Sequence, residues 1–172
     1  PHWKENREIV REHYVKWWRR EGPILLFDGL PELETPRSCP APPPEPLDER
    51  GRNLDPAWAA WNQRATLARK PLPADNLPIA HVEYGCVQLA AFFGCEPTYQ
   101  DQTVWYEACV TDPDNCPALT LTREETWWKA YKSILDELVR VADGDFLIGA
   151  PAFGSKLDVG AGVRRKENLL LK

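Results

Sequence analysis

The chain has 172 residues, 43% of them hydrophobic and 27% charged, which suits one globular domain with a core of its own. A formal net charge of -5 and a pI near 5.3 exclude nucleic-acid binding through phosphate neutralisation as an expected role. No apolar run reaches the ~20 residues of a membrane helix, and Pro1-His2-Trp3-Lys4-Glu5 lacks a signal peptide's basic start and apolar core, so no membrane association and a cytoplasmic location are the expectations.

In chain order, Ile9, Val10, Tyr14, Trp17 and Trp18 form a helical stripe between Lys4 and Arg20, stopped by Gly22-Pro23. Ile24-Leu25-Leu26-Phe27 reads either as a buried strand or as a packed connector. Between Pro31 and Leu47 the prolines exclude helix and inner strand, leaving an extended arm for which a structural use is preferred over a recognition ligand or a lid. Asp55-Pro56 supplies an N-cap and a first-turn proline for a helix carrying Trp58, Trp61, Ala65 and Ala68, which Pro71 ends.

Leu77 to Glu83 then reads as a buried strand that turns through Gly85 into an apolar helix ending at Gly94, and Thr103 to Cys109 as a further strand. Thr122 and Glu125 form a capping box before a helix with Trp127, Trp128, Tyr131, Ile134, Leu135, Leu138 and Val141 on its apolar face, ended by Asp143-Gly144. Phe146 to Ala150 is a strand of the buried parallel type, and Ser155 caps a helix from Lys156 onward. This alternation predicts βαβ crossovers and a mainly parallel sheet. A complete eight-stranded barrel takes about 250 residues, so the count of strands favours part of a (β/α)8 TIM-type barrel. The expected division is an N-terminal helix and connector over 1–30, a proline-rich loop over 31–54 and a partial barrel over 55–172.

Five cysteines, Cys39, Cys86, Cys95, Cys109 and Cys116, are odd in number and form no C-x-x-C pair, which argues against a disulfide framework or a zinc ribbon and for free thiols in or near the core. His2, His13 and His81 show no ligand spacing, so no metal is expected. The absence of Met marks the chain as processed or as a fragment.

Chemistry is expected at the carboxyl ends of the strands. His81, Glu83 and Tyr84 follow the first, Glu107 the second, and Phe153, Ser155 and Asp158 the third. His81 and Glu83 stand two apart, hence on one side of a strand, and make an acid/base pair if that side faces a cavity, or a structural His–Glu contact if it does not. Glu83 with Glu107 is the one plausible carboxylate pair for glycoside hydrolysis, with tryptophans as sugar platforms. The helical spacing of Trp17/Trp18, Trp58/Trp61 and Trp127/Trp128 is better explained by packing. Gly149 to Gly154 is no phosphate loop, and there is no G-x-S-x-G.

Several segments together resemble the uroporphyrinogen decarboxylase-like superfamily, most closely its poorly characterised bacterial branch with a Trp-Trp opening helix. They are Asp75-Asn76-Leu77-Pro78, Tyr84-Gly85, Phe93-Gly94-Cys95-Glu96-Pro97, Asp101 to Tyr106, Ala142-Asp143-Gly144, Leu147 to Pro151, Leu157-Asp158 and Glu167 to Leu170. The resemblance implies the N-terminal half of the barrel and a lyase of porphyrin metabolism that decarboxylates the acetate side chains of a tetrapyrrole without a cofactor. It implies alternatively a methyltransferase of the same fold that moves methyl groups to or from corrinoids or thiols. Glu83 falls at or near the acid that binds the pyrrole nitrogens, where it would stabilise the cationic pyrrole formed as a proton adds and carbon dioxide leaves. His81 is its catalytic neighbour, and Tyr84, Glu107, Phe153 and Arg37 are the expected substrate-binding residues. The family's arginine-rich first loop is replaced by the proline-rich arm with Arg37, and Arg164-Arg165-Lys166 replaces a small glycine-containing turn. The expected partners are a small-molecule substrate, tetrapyrrole or methyl donor, and either a second copy of the chain or a complementing C-terminal half. A non-catalytic binding module is the reading from another class.

Overall fold

The computed structural model of the chain describes residues 1–82, 84, 88–100, 103–112, 115, 118–121, 123–151, 153–154 and 156–164. Among these, the helices are α1 (Arg7–Trp18), α2 (Glu49–Leu54), α3 (Pro56–Arg69), α4 (Leu89–Phe92), α5 (Thr126–Ala142) and α6 (Lys156–Arg164). The strands are β1 (Ile79–Ala80), β2 (Pro97–Gln100), β3 (Thr103–Tyr106) and β4 (Leu147–Ile148). The chain divides into two units: Pro1–Glu45 with Ala57–His81 and Asp136–Gly149, and Pro46–Pro56 with Val82–Leu135 and Ala150–Lys172.

In the first unit α1 buries Val10 and leaves Trp18 81% exposed. Its end is marked by Arg20 at φ 62°, ahead of Gly22-Pro23. Helix α3 starts at Pro56 behind Asp55, where the sequence signals place it, and buries Ala60, Ala65, Leu67 and Ala68. A helix leaves its last carbonyls without helical partners, and here the proline-rich arm supplies donors to them. The backbone N–H of Leu33 donates to the Arg69 carbonyl at 2.8 Å and that of Arg37 to the Ala68 carbonyl at 3.0 Å. The Trp61 indole N–H, in turn, donates to the Pro40 carbonyl at 2.9 Å.

Ile24 to Phe27 is a connector rather than a strand, with Leu25, Leu26 and Phe27 each more than half exposed. It is held by Asp75 and Asn76. Leu25 N–H donates to Asp75 Oδ2 and Phe27 N–H to Asn76 Oδ1, both at 2.8 Å, while Asn76 Nδ2 donates back to the Phe27 carbonyl at 2.7 Å. Strands β1 and β4 pair in parallel, Ile79 opposite Leu147 and Ala80 opposite Ile148. The Arg64 guanidinium is a second tie: it lies 5.0 Å from the Trp3 ring centroid and donates to the Val141 carbonyl and to Asp145 Oδ2.

In the second unit β2 and β3 form an antiparallel hairpin, Pro97 opposite Tyr106 and Gln100 opposite Thr103. Cys95 and Cys109 form a disulfide at the foot of this hairpin. Cys95 is buried with Ala90, Val110 and Val163, against which Phe93, Tyr106 and Val159 pack. The carboxylate of Glu125 accepts the first free amides of α5, those of Trp127 and Trp128. Thr122, the other half of the expected capping box, lies outside the described residues. Of the stripe that the periodicity of α5 predicts, Trp127, Tyr131 and Ile134 are buried and Trp128 and Leu135 half-buried here, while Leu138, buried, and Val141, half-buried, fall in the part of the helix that belongs to the first unit.

Two expectations are corrected here. The (β/α)8 barrel, complete or as an N-terminal half, is not what these residues form: the described strands make two separate two-stranded sheets, one parallel and one antiparallel. The decisive point is β3. Only two residues separate Gln100 from Thr103, whereas parallel neighbours need a crossover of about a dozen residues or more, so the Thr103 run can pair with the Pro97 run only as a hairpin. The second correction concerns the cysteines. Counting thiols argued for free ones, but a hairpin brings its two flanks together whatever the total, and Cys95 and Cys109 are those flanks. Cys39 is free.

Candidate functional site

The end of the parallel pair is set by two backbone bonds, Leu147 N–H to the Pro78 carbonyl at 2.8 Å and Gly149 N–H to the Ala80 carbonyl at 2.9 Å. His81 is the next residue of the β1 chain and Gly149 the residue after β4, so imidazole and glycine meet where the pairing stops. A β-carbon built on Gly149 would lie 2.2 Å from His81 Cε1 and 2.6 Å from His81 Nδ1. His81 is half-buried, and its Nδ1 is buried without a hydrogen-bond partner. Glu83, the other half of the expected acid/base pair, lies outside the described residues, as does Ser155.

Arg37 belongs to the same unit. Its Nη1 donates to the Lys70 carbonyl at 2.7 Å and its guanidinium lies 5.8 Å from the Trp3 ring centroid. Burial pushes its pKa down, against the opposing pull of Glu5. Trp3, Lys4, Glu5, Asn6, Arg37 and Leu72 line a polar cavity of about 300 Å³.

Tyr84, Glu107 and Phe153 belong to the second unit. Tyr84 is 2% exposed, its ring edge-on to Trp127 with centroids 5.1 Å apart. Its backbone N–H donates to Gln88 Oε1 at 3.0 Å, and its carbonyl accepts the Tyr106 hydroxyl. The Tyr84 hydroxyl is itself buried without a partner, and burial pushes its pKa far up. Glu107 is exposed at the end of β3, its N–H donating to the Glu96 carbonyl at 3.0 Å. Phe153 is 40% exposed and meets Phe92 in a T-shaped contact at 6.4 Å.

The most elaborate polar cluster was not anticipated. Asp75 is 4% exposed; its Oδ1 bonds His13 Nδ1 at 2.7 Å while Oδ2 accepts Leu25 N–H. Those two bonds, the Leu25 amide first and His13 next, hold its carboxyl below the usual range against the opposing effect of burial. Lys4, 2% exposed, donates from Nζ to the Leu72 carbonyl at 2.6 Å and the Ala74 carbonyl at 2.7 Å. Burial lowers its pKa and the Asp75 charge opposes that. The available signal was the Asp75-Asn76 pair ahead of Leu77-Pro78: two short polar acceptors at a strand entry commonly bond to backbone amides.

Among the described residues no group of three or more His, Cys, Asp or Glu side chains is arranged to hold a metal ion, and no helix is long and apolar enough to cross a membrane. No family model, curated protein or solved structure matches the chain.

Proposed function

We propose that the chain is a uroporphyrinogen decarboxylase-like protein that acts on the acetate side chain of a tetrapyrrole-type molecule without a cofactor. The observation that supports this most is the convergence of His81 and Gly149 at the carboxyl end of a parallel strand pair, with Glu83 two residues further on. Carboxyl ends of parallel strands are where α/β proteins place their chemistry. In this reading the bond between the acetate methylene and its carboxyl carbon breaks, carbon dioxide leaves, and a proton supplied at the site converts the methylene to a methyl group. Glu83 stabilises the positive charge that the pyrrole carries during the step, and His81, its neighbour, donates a hydrogen bond to the reacting group. Arg37, beside Glu5, lines a polar cavity of about 300 Å³ and is the charged donor there for another substrate carboxylate.

A non-catalytic binding module is the second reading, and two observations favour it. The Tyr84 hydroxyl is sealed in the core, and Arg37 already donates to the carbonyls of Ala68 and Lys70. Either reading accommodates a second copy of the chain as partner, through the exposed Trp18, Leu25, Leu26 and Phe27. A cytoplasmic site of action belongs to the decarboxylase reading. The Cys95–Cys109 disulfide is the observation against it, because such bonds persist mainly in oxidising compartments.

Titration of the chain with an acetate-bearing porphyrin, followed by tryptophan fluorescence, tests the shared part of both readings. Saturable quenching is expected, weakened about 10-fold by Arg37→Ala through loss of a charged hydrogen bond. Absence of saturable binding would sink both.

A further inference from the structure

We propose that Gly149 is a positioning residue for His81, holding the imidazole with Nδ1 sealed and unprotonated and with the proton on Nε2. Gly149 is fixed opposite the end of β1 by its own N–H bond to the Ala80 carbonyl at 2.9 Å. Its missing side chain is the space the ring occupies. A β-carbon there would stand 2.2 Å from Cε1, 2.6 Å from Nδ1 and 2.9 Å from Ile79 Cγ2, all closer than such contacts occur. Flexibility of the backbone is not the reason for this glycine; close approach is.

The same contact decides the tautomer. A neutral imidazole has one N–H and one lone pair. The buried, unpartnered Nδ1 must be one or the other. A buried N–H with nothing to donate to is the rarer orphan, and Nε2 is not among the buried unpartnered atoms, so in the neutral ring the proton sits on Nε2. His81 therefore meets a ligand as a donor through Nε2. On the proposed-function reading, that makes it a hydrogen-bond donor to the substrate rather than the source of its proton, with Nδ1 taking no part.

A two-bond ¹H–¹⁵N correlation spectrum of the ¹⁵N-labelled full chain tests this, with His81 assigned by comparison with His81→Ala. Once the ring is neutral, the wild type should show His81 as a single Nε2–H tautomer, and Gly149→Ala should shift that pattern toward a mixture. An Nδ1–H pattern in the wild type, or an unchanged pattern in the variant, would overturn the proposal. Thermal melts give the second arm: Gly149→Ala should lower the Tm by roughly 5 °C, the effect of an overpacked site. In the His81→Ala background the same substitution should cost less than half as much. Equal losses in both backgrounds would mean that Gly149 serves something other than His81. If Gly149→Ala does not fold, the double variant decides: folding supports the proposal and failure to fold overturns it. A chain that shows this coupling but never decarboxylates would refute the proposed function and leave the positioning role standing.

Discussion

Asp75 joins more of the first unit than any residue that its sequence pattern nominated for chemistry. One carboxylate fixes the imidazole of α1 and the amide of the Leu25 connector, and the same turn holds Lys4 through the carbonyls of Leu72 and Ala74. Because its pKa is lowered on folding, its contribution to stability is complete above the ordinary carboxylate range near pH ~4 and is lost as pH falls through the lowered value. Asp75→Asn should therefore cost about 1–3 kcal/mol at neutral pH, the penalty for a disrupted buried hydrogen-bond set. It should also flatten the acid limb of a plot of Tm against pH. An unchanged acid limb would show that other carboxylates set it. Arg37 and Tyr84 differ: the resemblance nominated both for substrate, while burial and partners show how much of each is already engaged by the fold.

At the scale of elements, helix α5 carries the clearest core stripe, and Leu138 on it is fully buried. Leu138→Ala should lower stability by about 2–5 kcal/mol in denaturant melts, whereas Val139→Ala, 61% exposed in the same turn, should change it by less than about 0.5 kcal/mol. The Cys95–Cys109 bond closes a sequence separation of 14 residues around the hairpin, so Cys109→Ser should cost about 3 kcal/mol and make the Tm insensitive to reductant. A wild-type Tm that ignores reductant would contradict the pairing. These elements also show what was legible beforehand. Asp55-Pro56 located the start of α3, the 3.6-residue period located the buried face of α5, and Lys156 began α6 as its signals indicated. Strand pairing was not legible, because alternation in Thr103 to Tyr106 is the same for a parallel or an antiparallel partner; the short connection to Gln100 decided it. The donor set that caps α3 was also hidden, since it comes from an arm lying far upstream whose prolines reveal only that it is extended.

At the scale of the whole molecule the surface retains large apolar side chains. Trp18, Leu25, Leu26 and Phe27 in the first unit and Leu157 in the second are each more than half exposed. Surfaces of this kind mark contacts with other chains, so sedimentation should show concentration-dependent self-association that Trp18→Ser with Leu26→Ser reduces; a strictly monomeric wild type would remove the case for a self-contact. The proposed function is a claim about the whole chain as well. Its most direct test is to incubate the 172-residue chain anaerobically with an acetate-bearing porphyrinogen and to measure carbon dioxide release against loss of substrate carboxylates. The decarboxylase reading predicts one carbon dioxide for each carboxylate lost, abolished by Glu83→Gln and reduced by His81→Ala. Saturable binding with no carbon dioxide released by the wild-type chain would contradict it and leave the binding-module reading in its place.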